Sequence, residues 1–150
     1  MIILDTNVIS ALMHEGVDMF VLQWLDAQPR ESIWTSAITI LELRFGLEIM
    51  PQGRRRDARA DAFEKLLVEK LEGRVAPFDT EAAEHTAVLT SARRRRGEPR
   101  KLRDSMIAGI ALACRATLAT RNVKHFDDAG IDVVDPWTRL PKGLAAADPP

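Results

Sequence analysis

Short apolar runs alternate along this chain with stretches in which apolar residues recur every three or four positions, the pattern of strands interleaved with amphipathic helices. Ile2, Ile3 and Leu4 make an opening strand, and a first helix from about Val8 to Met13 follows it, capped by Thr6 or Asn7. Phe20, Val21, Trp24 and Leu25 carry helical spacing from Val17 to Ala27, and Pro29 ends that helix before a short strand at Ser32, Ile33 and Trp34. Ser36 reads as the cap of a helix reaching about Met50. An arginine-rich helix from about Arg54 to Leu71 closes at Gly73, ahead of a strand from Val75 to Phe78 and a helix from about Thr80 to Arg96 that Gly97 and Pro99 close. From Asp104 to Arg115 the helix is apolar on nearly every side, which makes it central to the core. Strands at Thr117 to Thr120 and Asp132 to Val134 complete the series.

Strands that each lead into a helix need crossover connections, and crossovers build parallel sheets. The expected fold is therefore α/β: three layers, with a parallel sheet of four or five strands flanked by helices on both faces. The chain of 150 residues suits one core, and 46% hydrophobic residues are enough to fill it, so a single domain is expected over residues 1–141. Residues 142–150 carry no packing pattern and read as a loose tail. No run approaches the ~18 apolar residues of a membrane span. Asp5 also stops the opening run short of the ~7 residues of a secretory h-region. The lone Cys114, set among apolar neighbours, excludes an internal disulfide and suits a small buried residue in a reducing cytoplasm. With 21 Lys plus Arg against 22 Asp plus Glu, binding to nucleic acid would have to rest on local clusters.

Three acids stand where burial is expected. Asp5 ends the opening strand, at the carboxyl edge where open α/β sheets place their ligands. Glu42 interrupts an apolar helix at the margin of its buried face, where an uncompensated carboxylate costs several kcal/mol. Asp104 opens the most apolar helix. Each has an ordinary alternative: Asp5 or Asp104 as a helix cap, Glu42 as the partner of Arg44. Brought together, they would form a site for a hard divalent cation such as Mg²⁺ or Mn²⁺, which relieves carboxylate repulsion and supports phosphodiester hydrolysis without a side-chain nucleophile.

The segments Ile3 to Asn7, Thr39 to Gly46, Arg103 to Ala108, Leu118 to Asn122 and Val133 to Trp137 together resemble the PIN-domain ribonucleases, and within them the VapC-type and FitB-type toxins of bacterial toxin–antitoxin pairs. The resemblance covers about Met1 to Pro141. It implies a metal-dependent endoribonuclease in which Asp5, Glu42 and Asp104 hold Mg²⁺ or Mn²⁺ and position the attacking water. Thr6 and Thr120 match supporting positions near the metal. Asn122 stands where the family often has Asp, so it is a weaker ligand. The resemblance further implies a cognate antitoxin that inserts a segment into the acidic site, a homodimer, and contact with operator DNA only through that antitoxin. Phe20 or Trp24 could serve a dimer surface, or could belong to the core.

Other chemistry is poorly represented. No nucleophile elbow, Walker loop or dinucleotide fingerprint appears, and His14, His85 and His125 lack metal-ligand spacing, so surface or helix-end places are expected for them. Asp127 is a substitute for the missing acid or a turn residue. Arg93, Arg94, Arg95, Arg96, Arg100, Lys101 and Arg103, with Arg54, Arg55, Arg56 and Arg59 as a second cluster, are placed to grip RNA phosphates or simply to aid solubility. The competing function is a PIN-scaffold interaction module that binds its DNA-binding antitoxin and has little nuclease activity, since Asn122 depletes the acidic set. A DNA-directed nuclease is the third reading.

Overall fold

The computed structural model describes residues 1–138, so the expected tail at 142–150 lies outside them. Five strands form one parallel sheet: β1 (Ile2–Leu4), β2 (Ile33–Ser36), β3 (Val75–Ala76), β4 (Thr117–Ala119) and β5 (Val133–Val134), in the order β3-β2-β1-β4-β5. β1 has the expected bounds and β2 runs two residues past the expected Trp34, whereas β3, β4 and β5 are shorter than their apolar runs imply, because only the residues that meet a neighbouring strand are laddered. β1 is central, paired with β2 through Ile3 opposite Trp34 and with β4 through Ile3 opposite Leu118. The chain builds the sheet to one side through β2 and β3 and then to the other through β4 and β5. Strand order therefore reverses between β1 and β4, and a crevice opens at their carboxyl ends.

Alternation along the strands sends neighbours to opposite faces. Ile3 and Leu118 enter one core with Ile38, Leu89, Ile107, Ile110 and Phe126, whereas Leu4 and Ala119 enter the other with Val8, Ile9, Val21, Trp24, Leu43, Leu47 and Phe63. The first face is covered by α5 (Thr80–Arg95) and α6 (Leu102–Cys114). The second is covered by α1 (Thr6–Leu12), α2 (Met19–Asp26) and α4 (Arg54–Lys65), with α3 (Ala37–Glu48) contributing to both cores. This is the three-layer arrangement expected of the pattern. Among the described residues no helix is long and apolar enough to cross a membrane.

Two local features depart from the expected elements. The helix expected to run from Arg54 to Leu71 is α-helical only to Lys65 and continues as a π turn, Leu66–Lys70. Leu71 N–H donates to Leu66 O at 3.0 Å, and the wider turn lets both leucines enter the core. The cap of α1 is Asp5, whose side chain accepts from Thr6 N–H, and not Thr6 or Asn7. The side chains of those two residues have been drawn into the crevice instead.

Helices α5 and α6 meet closely because Gly109 lets them. A Cβ at that position would stand 2.1 Å from Thr86 Oγ1 and 2.5 Å from the Ala82 carbonyl oxygen. Thr86 cannot simply turn away, since its hydroxyl donates to Ala82 O at 2.7 Å within a buried helix contact. Gly109→Ala is therefore expected to separate the helices and destabilise the protein by about 1–3 kcal/mol, the usual cost of overpacking a tight contact. Urea denaturation measures it, and an unchanged midpoint would show that the contact is slack.

Candidate active site

The crevice gathers Asp5 from the end of β1, Thr6 and Asn7 from the start of α1, Glu42 from α3, Lys101 and Asp104 from the start of α6, and Asn122 and His125 from the segment after β4, around a cleft of about 240 Å³. The three acids singled out in the sequence thus come from three separate elements and line one space. A larger cavity of about 340 Å³ lies away from the three acids, between apolar residues such as Leu25 and Leu66 and a charged rim that includes Asp26, Arg30 and Glu69.

Asp5 is 5% exposed and fully engaged. Its Oδ1 accepts from Thr6 N–H at 2.8 Å, and its Oδ2 accepts from Asn7 Nδ2 at 2.9 Å and from the Thr120 hydroxyl at 2.6 Å. Burial pushes its carboxyl above the usual range; the Thr120 hydroxyl and Thr6 N–H pull it down, and the charges of Glu42 and Asp104 push it up again. Thr120 is itself held, accepting from Asn7 Nδ2 at 3.0 Å and from Asn122 N–H at 3.1 Å. Asn7 also accepts from Arg121 N–H at 3.1 Å, so it ties the end of β1 to the segment after β4. The sequence reading did not assign that role to Asn7, because a neutral amide after an acid looks like an ordinary helix start.

Glu42 accepts a hydrogen bond from the Thr6 hydroxyl and lies 3.8 Å from Arg103 Nη1. The second contact is loose and partly solvated, a kind of pair worth little. Arg44, the alternative partner, instead pairs with Glu64 at 2.5 Å and lies over the Phe63 ring. Asp104 lies in the first turn of α6, but that helix has no side-chain cap, so Asp104 is not spent on capping. Its Oδ2 lies 3.0 Å from His125 Nδ1.

His125 has the helix-end placement expected of it, at the close of a 3-10 turn, but its imidazole also reaches Asp104, a contact that spacing along the sequence does not show. Only the segment after β4 brings it back to α6. His85 is on α5 near Glu81, as a surface residue. Asp127 does not line the cleft; it faces Arg100 at 3.5 Å. Cys114 is half-buried and not fully enclosed, and burial with the nearby charges of Asp79 and Glu81 pushes its thiol up.

The arginine run also divides. Arg93, expected at an RNA surface, is 1% exposed and belongs to the interior. Its guanidinium donates to Asp128 Oδ1 at 2.6 Å, to Ser105 Oγ at 2.9 Å and to the His125 carbonyl at 3.0 Å. Helical geometry explains the split, since four successive side chains cannot all face solvent on a helix packed along one side. Arg96 joins Asp128 at 2.5 Å from the surface side. Arg94, Arg95, Lys101 and Arg103 remain exposed, and Arg100 is half-buried.

As donors, the three acids are anionic oxygens, which suits a hard cation, and such a charge would relieve the repulsion that helps raise Asp5. Among the described residues no three His, Cys, Asp or Glu side chains are already closed to metal-ligating separation. Glu42 and Asp104 are each turned toward another partner here, Thr6 and His125.

The PIN domain family model matches residues 2–131, nearly the whole of the described fold. The chain belongs to the PIN-domain family. Among its relatives, the "VapC ribonuclease Y4jK" of Sinorhizobium fredii is 43% identical, over 91% of this chain and 98% of that protein. The "Toxin FitB" of Neisseria gonorrhoeae is 34% identical, over 91% of this chain and 99% of that one. A solved structure of FitAB bound to a DNA fragment superposes with a TM-score of 0.83 at 32% identity, covering 93% of this chain and 98% of the matched one. Fold and toxin-family resemblance thus agree with the motifs from which they were expected.

The Arg93–Asp128 pair makes its own prediction. Hydrogen bonding to Arg93 holds the Asp128 carboxyl below the usual range. The pair's stabilisation is therefore complete above the unfolded value near ~4 and is lost as pH falls through the lower folded value. Asp128→Ala strands a buried guanidinium and should cost roughly 3–5 kcal/mol at neutral pH. Denaturant titrations at a series of pH values should show the gap to wild type shrinking below about pH 4; a constant gap would assign the loss to packing alone.

Proposed function

We propose that this PIN-domain protein is a metal-dependent endoribonuclease toxin that hydrolyses RNA phosphodiester bonds and is neutralised by a cognate antitoxin. The convergence of Asp5, Glu42 and Asp104 on one polar cleft carries this reading. The 43% identity to a protein named a VapC ribonuclease supports the substrate class. Asp5, Glu42 and Asp104 would hold Mg²⁺, with Mn²⁺ able to replace it, and Asn122 would add a neutral oxygen. When bound, the ion supplies positive charge against the scissile phosphate and eases deprotonation of a water.

The protein's own groups do the remaining work. Thr120, Asn7 and the Thr6 N–H fix the Asp5 carboxylate at the sheet edge, so it needs little reorganisation on binding. Thr6 also restrains Glu42 through its hydroxyl. Lys101, at the rim of the same cleft, and the exposed Arg94, Arg95 and Arg103 would meet the RNA backbone, while Arg93 has no part in that surface.

The antitoxin, the homodimer and indirect contact with operator DNA follow the same reading, with support from the DNA-bound FitAB relative. A dimer would draw on the exposed Phe20 of α2 or on the exposed Leu41 and Phe45 of α3 with Ile49 just past its end; Trp24 is in the core. The cytoplasm is the setting such a system requires.

Asn122 keeps the interaction-module reading in play, because a neutral side chain lines the cleft where an acid would strengthen it. Asp5→Asn or Asp104→Asn should abolish Mn²⁺-dependent RNA cleavage while antitoxin binding survives. Equal, negligible cleavage by wild type and both variants would assign the protein to the interaction-module class, and preference for a matched DNA strand would overturn the substrate class. Replacing Arg94, Arg95, Lys101 and Arg103 with Gln should lower RNA affinity and flatten its salt dependence, by about 0.7 in log–log slope for each lost phosphate contact. An unchanged slope would leave these residues a role in solubility.

A further inference from the structure

His125 ends a single 3-10 turn, Val123–His125, and its Nδ1 lies 3.0 Å from Asp104 Oδ2. An ionised carboxylate only accepts hydrogen bonds, so with Asp104 charged the ring must donate from Nδ1. One oxygen of Asp104 is thereby committed. Among the described residues the other oxygen carries no hydrogen bond. His125 also lines the cleft that Asp104 shares with Asp5 and Glu42, so the contact is part of that cleft and not an isolated surface pair.

A histidine with a side chain 39% exposed would orient nothing if its backbone were free to move. Here it is fastened. Arg93 Nη2 donates to the His125 carbonyl at 3.0 Å, and Arg93 Nη1 donates to the hydroxyl of Ser105, the residue after Asp104, at 2.9 Å. Asp128 closes the remaining side of the guanidinium. One buried cation thus holds the chain beside both members of the His125–Asp104 contact. Partners of this kind govern how a ligand presents its lone pairs, because a donor can aim an acid only when the donor itself is fixed.

We infer that His125 is a positioning residue that orients Asp104 for a divalent cation, held in place by Arg93 through its backbone carbonyl. This inference rests on the reading of Asp5, Glu42 and Asp104 as a metal site. Its test is Mn²⁺ binding to the full chain in the absence of RNA, followed by electron paramagnetic resonance of the free ion, for wild type, His125→Ala, His125→Asn and Asp5→Asn. His125→Ala should weaken Mn²⁺ binding about 10–100-fold, the usual effect of removing a ligand's hydrogen-bond partner, with the thermal midpoint unchanged. Asparagine sets its amide nitrogen where the ring carries Nδ1, so His125→Asn should return the affinity to within a few-fold of wild type.

Equal affinity for wild type and His125→Ala, with Asp5→Asn still impaired, would overturn the positioning role and leave the metal site standing. Equal loss in the Ala and Asn variants would overturn the hydrogen bond as its cause. Wild type that binds Mn²⁺ no better than Asp5→Asn would overturn both the inference and the reading beneath it.

Discussion

The fold places an ionisable acid inside the protein at the end of its central strand, and the surrounding polar structure is arranged around that constraint. Asp5 follows β1 to the floor of the crevice between β1 and β4, where its own side chain is almost wholly enclosed. Burial disfavours its charge, and the charges of Glu42 and Asp104 disfavour it further. The Thr120 hydroxyl and the Thr6 N–H resist that shift, and Asn7 donates to the same carboxylate. The same arrangement suits a site for a cation: the anionic oxygens are held in place, and their mutual repulsion is left for an ion to relieve.

A second buried charge system lies nearby and behaves differently. Arg93 and Asp128 satisfy each other, with Ser105 and the His125 carbonyl taking the remaining donors of the guanidinium. Such a pair adds little attraction for outside ions, since its charges are already compensated. Its effect is geometric: it binds α5, the start of α6 and the segment after β4 into one unit. One side of the cleft, with Lys101, Asp104, Asn122 and His125, belongs to that unit. One run of four arginines therefore contains both an internal support and an exposed cationic rim.

Family membership and site chemistry are separate conclusions. The parallel sheet with its reversal between β1 and β4, the matched PIN family model and the toxin relatives establish what kind of domain this is. Function belongs to the side chains carried at the crevice. There the neutral Asn122 and the contacts of Glu42 with Thr6 and of Asp104 with His125 describe a site whose acids are partly occupied by other partners.

The sequence by itself determined the layered α/β architecture, because hydrophobic period and helix-stopping residues are local properties that each segment carries with it. It also marked Asp5, Glu42 and Asp104, since an acid within an apolar run is conspicuous without coordinates. Family resemblance marked Thr6 and Thr120 beside them, but tertiary structure alone brought in the other polar neighbours. Asn7 and His125 gain their roles from contacts spanning 113 and 21 residues of chain, and such pairings leave no local pattern. It likewise decided that Arg93 turns inward while Arg94 and Arg95 do not, because the direction of a helical side chain depends on what the helix packs against.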